Sequence, residues 1–286
     1  MTLYIILTIN SITMGGLLFL LSAGFSLIFG LMRIPNLAHG ALFMLGAYFG
    51  VTFLRMEVNF WIAVIFSGVA LAIIGGVIER LLLRRLAGQE LAQVLVTLGL
   101  AFIIADVCLL IWTGDPIPLN APESLRGVER FFGIVFPRYR LAVVVIALIL
   151  AIGLWFLLER TRLGAMIRAS VDDPEMARVT GIRVSRLFTI VFALGAALAG
   201  VGGVLSGPIL SVYPGLDAEM LPLALIIVIL GGAGSLPGAF LGSFVIGFIY
   251  NFGQVFFPDL AYVVLFLPML LMLVLRPQGL FGKDPL

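Results

Sequence analysis

Few side chains in this sequence have the chemistry expected of a reactive or ligand-binding site. There is one histidine, His39, and one cysteine, Cys108. A lone histidine makes no metal site, and a lone cysteine makes no intramolecular disulfide. Asp106 is the clearest ionisable group inside an apolar run, and intramembrane charges usually mark function. It has no relay of similar groups, so the pattern favours a hydrogen-bonded packing residue, with a place on a transport path as the alternative. We predict no catalytic residue and no metal ligand.

Residues 231–238 (GGAGSLPG) resemble a phosphate-binding loop at first sight. They lack the Lys and Ser/Thr of a P-loop, and no strand precedes them as the dinucleotide fingerprint requires. The glycines and the proline instead break an apolar helix, which is tolerated at membrane depth only inside protein or beside a water-filled cavity. Two hypotheses remain: a structural hairpin turn, or part of a translocation path lined by Gly231, Gly232, Gly234 and Ser235.

Another break, the first of the two in chain order, lies at residues 33–40 (RIPNLAHG), so the break at residues 231–238 is the second. Its polar residues predict a helix turn in which Asn36 caps the next helix. In the alternative hypothesis, Asn36, His39 and Gly40 line the path.

Residues 159–186 form a polar interruption of 28 residues that carries six arginines and four acids. From Leu187 to Leu275 there is no Lys or Arg at all. Positively charged loops of membrane proteins stay on the cytoplasmic side. The interruption is therefore predicted to be a cytoplasmic loop.

A short helix with its own start and stop is predicted inside that loop. Asp173 suits the N-cap, Pro174 the first helical position, and Gly181 the position after the C-cap. Met176 and Val179 share a face by helical spacing. Their exposure on a loop predicts a docking surface for a soluble partner, and the alternative is a helix lying on the membrane surface. The predicted coupling residues are Asp172, Asp173, Pro174, Glu175, Met176, Val179, Thr180 and Gly181.

The composition of the chain predicts that these residues are positioned by membrane helices. The chain of 286 residues is 62% hydrophobic and 11% charged, with a mean hydropathy of +1.21. Soluble domains carry about 25% charged residues. We predict an all-α polytopic membrane protein: one transmembrane domain, residues 1–286, with the loop 159–186 inside it and no nucleic-acid-binding face. About eight or nine transmembrane helices, some broken or re-entrant, are expected from the apolar stretches 3–31, 38–54, 61–83, 91–113, 141–158, 187–206, 216–231, 236–256 and 261–275.

Three further patterns concern packing and orientation. Residues 1–30 lack a basic n-region and a small-residue cleavage site, so they are predicted to be a first membrane helix rather than a removable signal. Small residues recur four apart, as in Gly46 and Gly50, which predicts close helix packing, or alternatively a pore or subunit interface. Arg80, Arg84 and Arg85 predict a second cytoplasmic loop, and the helices between the two basic loops leave residues 114–140 outside.

Several blocks in order resemble the LivH-type permeases, the membrane subunits of branched-chain amino-acid ABC importers. Residues 36–40 (NLAHG) and 44–48 (MLGAY) resemble the family's first conserved block, and residues 168–181 (RASVDDPEMARVTG) resemble its ATPase-coupling segment. Residues 192–200, 231–238 and 276–282 (RPQGLFG) resemble later blocks. The likeness covers the chain from end to end.

This resemblance implies a type II-like permease of the bacterial or archaeal plasma (inner) membrane. Its partners would be a second, LivM-like permease in a heterodimer, two ATP-binding subunits and a periplasmic substrate-binding protein. ATP and Mg²⁺ would sit on the ATPase subunits, with no cofactor on this chain. Branched-chain or related amino acids are the expected substrates. Asp217 and Glu219, predicted outside, would be contacts for basic residues of the binding protein.

Two alternatives to this function stay open. Relatives of the same build move urea, short amides, aromatic acids and sugars. A stand-alone channel or ion-coupled carrier is the other class, but it needs no docking helix and would have more buried charge than Asp106.

Overall fold

The apolar stretches fold as nine long helices, joined by two short ones and a β-hairpin, in the computed structural model, which describes residues 2–33, 35–131 and 134–282. In chain order the helices are α1 (Thr2–Met32), α2 (His39–Arg55), α3 (Phe60–Leu81), α4 (Glu90–Trp112), α5 (Arg138–Arg160), α6 (Arg162–Asp172), α7 (Pro174–Val179), α8 (Val184–Leu210), α9 (Leu216–Gly231), α10 (Leu236–Phe256) and α11 (Ala261–Leu275). Strands β1 (Val128–Phe131) and β2 (Ile134–Pro137) pair antiparallel.

Among the described residues, six helices are long and apolar enough to cross a membrane: α1, α3, α4, α5, α8 and α10. Helices α2, α9 and α11 have 17, 16 and 15 residues. At 1.5 Å per residue these cover about 22–26 Å, short of the roughly 30 Å hydrocarbon core. The protein is therefore a polytopic helical bundle. Six of the described helices are long enough to span a membrane, and the predicted number of eight or nine passes is not confirmed.

Helix α1 is the centre of the bundle. It is apolar on all sides, which is typical of a helix that is buried all round, and Leu18, Phe19 and Leu20 are almost inaccessible. It packs against α10, α8, α5 and α9. The apolar N-terminal stretch thus forms the core helix around which the others assemble.

Small residues let α2 and α8 approach closely. A Cβ atom at Gly203 would lie 2.2 Å from the Phe43 carbonyl oxygen, and one at Gly46 would lie 2.5 Å from the Cα atom of Gly200. The Ser67 hydroxyl of α3 donates to the Gly46 carbonyl at 2.9 Å. The close helix packing predicted from the four-residue spacing is confirmed at these positions.

The two ends of the bundle differ in character. At one end, here called the basic end, α3 meets the start of α8 through Arg84, whose Nη2 donates to the Ser185 carbonyl at 2.7 Å. At the other, here called the hairpin end, lie the β1–β2 hairpin and a backbone bridge between Ile117 and Val212. Asn10 of α1 bonds to Arg140 at this end.

Candidate functional site

The loop at the basic end contains two helices, α6 and α7, where a single short helix was predicted. Thr161 caps α6 by accepting from the Gly164 N–H at 3.2 Å. Arg168 holds α6 to the end of α5 by pairing with Glu159 at 3.4 Å. The loop is thus an ordered part of the bundle rather than a flexible connection.

Helix α7 begins and ends where the sequence predicts. The Asp173 side chain accepts from the N–H groups of Glu175 and Met176 at 3.0 and 2.9 Å, and Pro174 follows it in the first turn. At the other end Gly181 has a φ of +87°, and the Ile182 N–H donates to the Ala177 carbonyl at 3.0 Å. This is the Schellman arrangement that ends many helices. The predicted caps are confirmed.

One face of α7 is buried and the opposite face is open. Ala177 points inward, whereas Met176 is 58% and Val179 82% exposed. Thr180 and the turn at residues 172–175 are exposed beside them. Two large apolar side chains therefore project from a doubly capped helix at the basic end.

An ion pair between a buried acid and a partly exposed arginine lies beneath the loop and was not predicted from the sequence. Glu79 is 1% exposed and binds Arg84 at 3.2 Å. The Thr189 hydroxyl donates to Glu79 at 2.5 Å. The cluster ties the end of α3 to the first turns of α8, directly after the loop. The signal for it in the sequence was one acid near the end of a mostly apolar helix, five residues before Arg84.

The first predicted break is confirmed as irregular backbone inside the bundle. Helix α1 ends at Met32, Ile34 lies outside the described residues, and α2 begins at His39. The His39 Nε2 atom bonds to the Leu21 carbonyl at 3.0 Å. Leu21 precedes the end of α1 by eleven residues, or about 16 Å. The chain therefore turns back into the bundle, and α2 starts deep within it.

The polar side chains at this break are buried. Asn36 does not cap α2 as predicted: its Oδ1 accepts from the Ala38 N–H at 3.2 Å, and Ala38 itself is the N-cap without a side-chain bond. Among the described residues, Asn36 Nδ2 and His39 Nδ1 have no hydrogen-bond partner. Gly40 packs against α9, where a Cβ atom would lie 2.7 Å from the Asp217 carbonyl. His39 thus contacts α1 and Gly40 contacts α9, and a place for Asn36, His39 and Gly40 on the path stays a prediction.

The second predicted break joins α9 to α10. Gly232 and Gly234 have φ values of +97° and +75°, which favour glycine. Ser235 caps α10 by accepting from the Gly238 N–H at 3.1 Å. A Cβ atom at Gly238 would lie only 2.0 Å from the Gly231 carbonyl oxygen. The turn therefore brings the ends of two helices into backbone contact.

The C-terminal segment, residues 276–282, closes over this turn. The Leu280 N–H donates to the Leu230 carbonyl at 2.9 Å, and the Phe281 N–H donates to the Gly231 carbonyl at 3.1 Å. Helix ends leave carbonyls without partners inside the helix, and this segment supplies partners at the end of α9. The contact favours the hairpin-turn hypothesis, while a place for Gly231, Gly232, Gly234 and Ser235 on the path stays a prediction.

Asp106 lies apart from both breaks. It is exposed on α4, whereas the buried face of that helix carries Gln93, Thr97 and Cys108. The expectation of a packing residue inside this chain is therefore wrong, because no part of the described chain covers it. Its place on a path stays a prediction that requires a neighbouring subunit.

The profile of a known family spans nearly all of this sequence. The family described as the branched-chain amino acid transport system / permease component matches residues 7–273. The chain belongs to this permease family. With its apolar helices, this permease is a multi-pass protein of the inner (plasma) membrane and the membrane subunit of an ABC transporter.

Individual relatives of the permease support the assignment. It is 29% identical to the high-affinity branched-chain amino acid transport system permease protein BraD of Pseudomonas aeruginosa, over 96% of this chain and 94% of the relative. It is 25% identical to the LivH permease of the same system in Escherichia coli, with the same coverage of each. The ribose import permease protein RbsC of Escherichia coli is 25% identical over 76% of this chain and 68% of the relative. No solved structure matches the chain.

Proposed function

We propose that this permease is the membrane-spanning subunit of an ATP-driven importer that moves branched-chain or related amino acids from a periplasmic binding protein to the cytoplasm. The observation that carries the coupling part of the proposal is α7: a doubly capped helix that presents Met176 and Val179 at the basic end. The substrate class is supported by the names of BraD and LivH.

The basic end is proposed to face the cytoplasm, because arginine-rich loops are retained there. Movement of the ATPase subunits would reach the bundle through α7 and then α8. The Glu79–Arg84–Thr189 cluster supports this route, since it fastens the start of α8 to α3. A rigid connection of this kind moves helices as units, which is what alternating access requires.

The partners are proposed to be a second, LivM-like permease, two ATP-binding subunits that hold ATP and Mg²⁺, and the binding protein. Support for a membrane partner comes from Asp106 on the exposed face of α4. A carboxylate facing lipid is costly, and a second permease at this face would remove it from lipid. The three short helices α2, α9 and α11, with their breaks, would complete eight or nine passes in a type II-like arrangement.

The path is proposed to run beside the two breaks. Asn36 and His39 offer buried polar atoms without partners, and helix ends offer backbone dipoles to a carboxylate. An aliphatic amino acid suits such a lightly charged lining. The likeness to RbsC keeps a sugar as the second candidate within the same importer class.

Reconstitution of the complete importer with its own binding protein tests the proposal. We expect saturable uptake of labelled leucine, isoleucine or valine that needs ATP, collapses with vanadate and survives an uncoupler. Uptake that survives vanadate but collapses with the uncoupler would point to an ion-coupled carrier. Uptake of ribose or urea, with none of leucine, would contradict the substrate class and leave the importer mechanism in place.

A further inference from the structure

A cavity of about 600 Å³ opens at the hairpin end between α9, α10 and α11. Its rim carries the exposed residues Ala218, Gln254 and Pro258, so it is reached from outside the bundle. The described residues that line it include none from either break. Its volume lies within the range of about 300–1,000 Å³ that small-molecule sites occupy.

The cavity contains a fixed carboxylate. Glu219, in the first turn of α9, is partly buried and accepts from the Tyr250 hydroxyl at 2.9 Å. Its other oxygen accepts from the Tyr213 hydroxyl. Tyr250 lies six residues before the end of α10 at Phe256, about 9 Å along the helix, so the carboxylate sits below the rim. Glu219 is therefore held inside the cavity by two tyrosines, and its predicted contact with a binding protein stays a prediction.

No positive charge of this chain balances Glu219 in the part that the structure describes. None of the ion pairs among the described residues includes Glu219. The sequence has no Lys or Arg from Leu187 to Leu275. The two tyrosines occupy part of its capacity, since an ionised carboxylate offers about four lone-pair positions. The start of α9 is the end of the helix dipole at which a negative side chain is favourable.

The wall beside the carboxylate is apolar. Pro222 and Leu223 of α9 line it together with Leu265 and Phe266 of α11. A charged acceptor beside an apolar wall complements a ligand that carries a cationic donor next to a hydrocarbon chain. A sugar has no charge to match Glu219 and too little apolar surface for this wall.

We propose that this cavity is an entry site for the transported amino acid, in which Glu219 binds the α-ammonium group and the wall of Pro222, Leu265 and Phe266 contacts the aliphatic side chain. The inference rests on the proposed function, because it assumes an amino-acid substrate. Tyr213 and Tyr250 act as positioning residues that orient the carboxylate. Substrate released at the hairpin end would be held here before it passes to the breaks.

Accessibility of a single cysteine in the cavity tests the site directly. Ala218→Cys in a Cys108→Ser background places a thiol at the rim, and its labelling is measured in the complete importer in proteoliposomes. Leucine and isopentylamine, which keeps the ammonium and the aliphatic chain, should slow labelling. The analogue 4-methylpentanoate lacks the ammonium and should not. Equal protection by 4-methylpentanoate and leucine, or no protection by leucine, would overturn the proposal.

Substitution of Glu219 gives the second measurement. Glu219→Gln keeps the size of the side chain and removes its charge, so protection by leucine and uptake of leucine should each weaken about tenfold. Tyr250→Phe keeps the carboxylate and should weaken both less. Glu123→Gln, on an exposed acid of the hairpin end, is the control that should change neither. If Glu219→Gln does not assemble, the entry site is tested by the uptake of leucine in Tyr250→Phe and by the protection assay in the Ala218→Cys importer.

The outcomes separate this inference from the proposed function. Leucine uptake by the wild-type importer with unchanged uptake and protection in Glu219→Gln contradicts the entry site and leaves the importer of amino acids intact. Absence of leucine uptake by the wild type, with transport of another substrate, contradicts the amino-acid function first and the entry site with it.

Discussion

Individual side chains define the two ends of α7 with little help from the rest of the fold. Asp173 starts α7, Gly181 ends it, and both act through hydrogen bonds to backbone groups within a few residues. Such interactions depend on local sequence alone, which is why they were predicted correctly. Asn36 was not, because its amide bonds to the Ala38 N–H in a turn whose path is set by packing against α1 and α9.

Charging the exposed face of α7 should release the ATPase subunits. Met176→Asp with Val179→Asp leaves the permease folded, since both side chains are exposed, but each charge would enter an apolar contact at a cost of at least about 2 kcal/mol. Co-purification of ATPases from detergent extracts should fall sharply, as should uptake. Val135→Asp, an exposed apolar residue at the hairpin end, is the control. Normal co-purification and transport by the double variant would refute the docking role.

Removing Arg84 should destabilise the permease far more than removing its neighbour. Arg84→Ala leaves Glu79 buried without a counter-charge, and breaking a buried pair from one side costs about 3 kcal/mol. Arg85→Ala changes an exposed arginine in the same turn and should have little effect. Thermal unfolding in detergent measures the difference. Equal melting temperatures for the two variants would show that the pair does not stabilise the fold.

At the scale of elements, close backbone contact between helices depends on the positions of glycine residues. Gly231 and Gly238 let the end of α9 meet the start of α10. The sequence predicted both breaks, because runs of glycine and proline act locally. It did not predict which segment would cover the second break, since the bonds from residues 280 and 281 to α9 join distant parts of the chain.

Gly238→Ala should separate α9 from α10. The new Cβ atom would lie 2.0 Å from the Gly231 carbonyl oxygen, and backbone cannot yield as a side chain can. A cost of about 3 kcal/mol is expected for such overpacking. Gly253→Ala, in the same helix, meets only Val264 at 3.6 Å and should be neutral or slightly stabilising. The amounts of each variant in the membrane and their melting temperatures in detergent test this, and loss in both variants equally would contradict it.

For the whole molecule, composition and the order of apolar stretches were enough to predict a helical membrane bundle with two breaks and one ordered loop. Composition and order did not predict that α1 lies at the centre of the bundle, because its position follows from packing with α5, α8, α9 and α10. The cavity around Glu219 was likewise missed, because its walls come from three helices and its tyrosines are 37 residues apart in sequence (250 − 213).

Orientation in the membrane is testable with two cysteines. In a Cys108→Ser background, Ser124→Cys at the hairpin end should react with an impermeant thiol reagent in intact cells, since that end is expected outside. Thr180→Cys at the basic end should react only after permeabilisation. Labelling of Thr180→Cys in intact cells would reverse the assignment of the two ends.

The order in which the chain is synthesised affects when the end of α9 is covered by residues 276–282. Residues 276–282 leave the ribosome after the eleven described helices, yet they supply hydrogen-bond donors to the end of α9. Until they arrive, the nascent chain carries a seam between α9 and α10 with carbonyls that lack those partners. A polypeptide that ends before this segment would contain all eleven described helices, but the Leu230 and Gly231 carbonyls would lack the donors that residues 280 and 281 supply. Residues 276–282 therefore complete the hydrogen bonding at the end of α9 only after that helix has been synthesised.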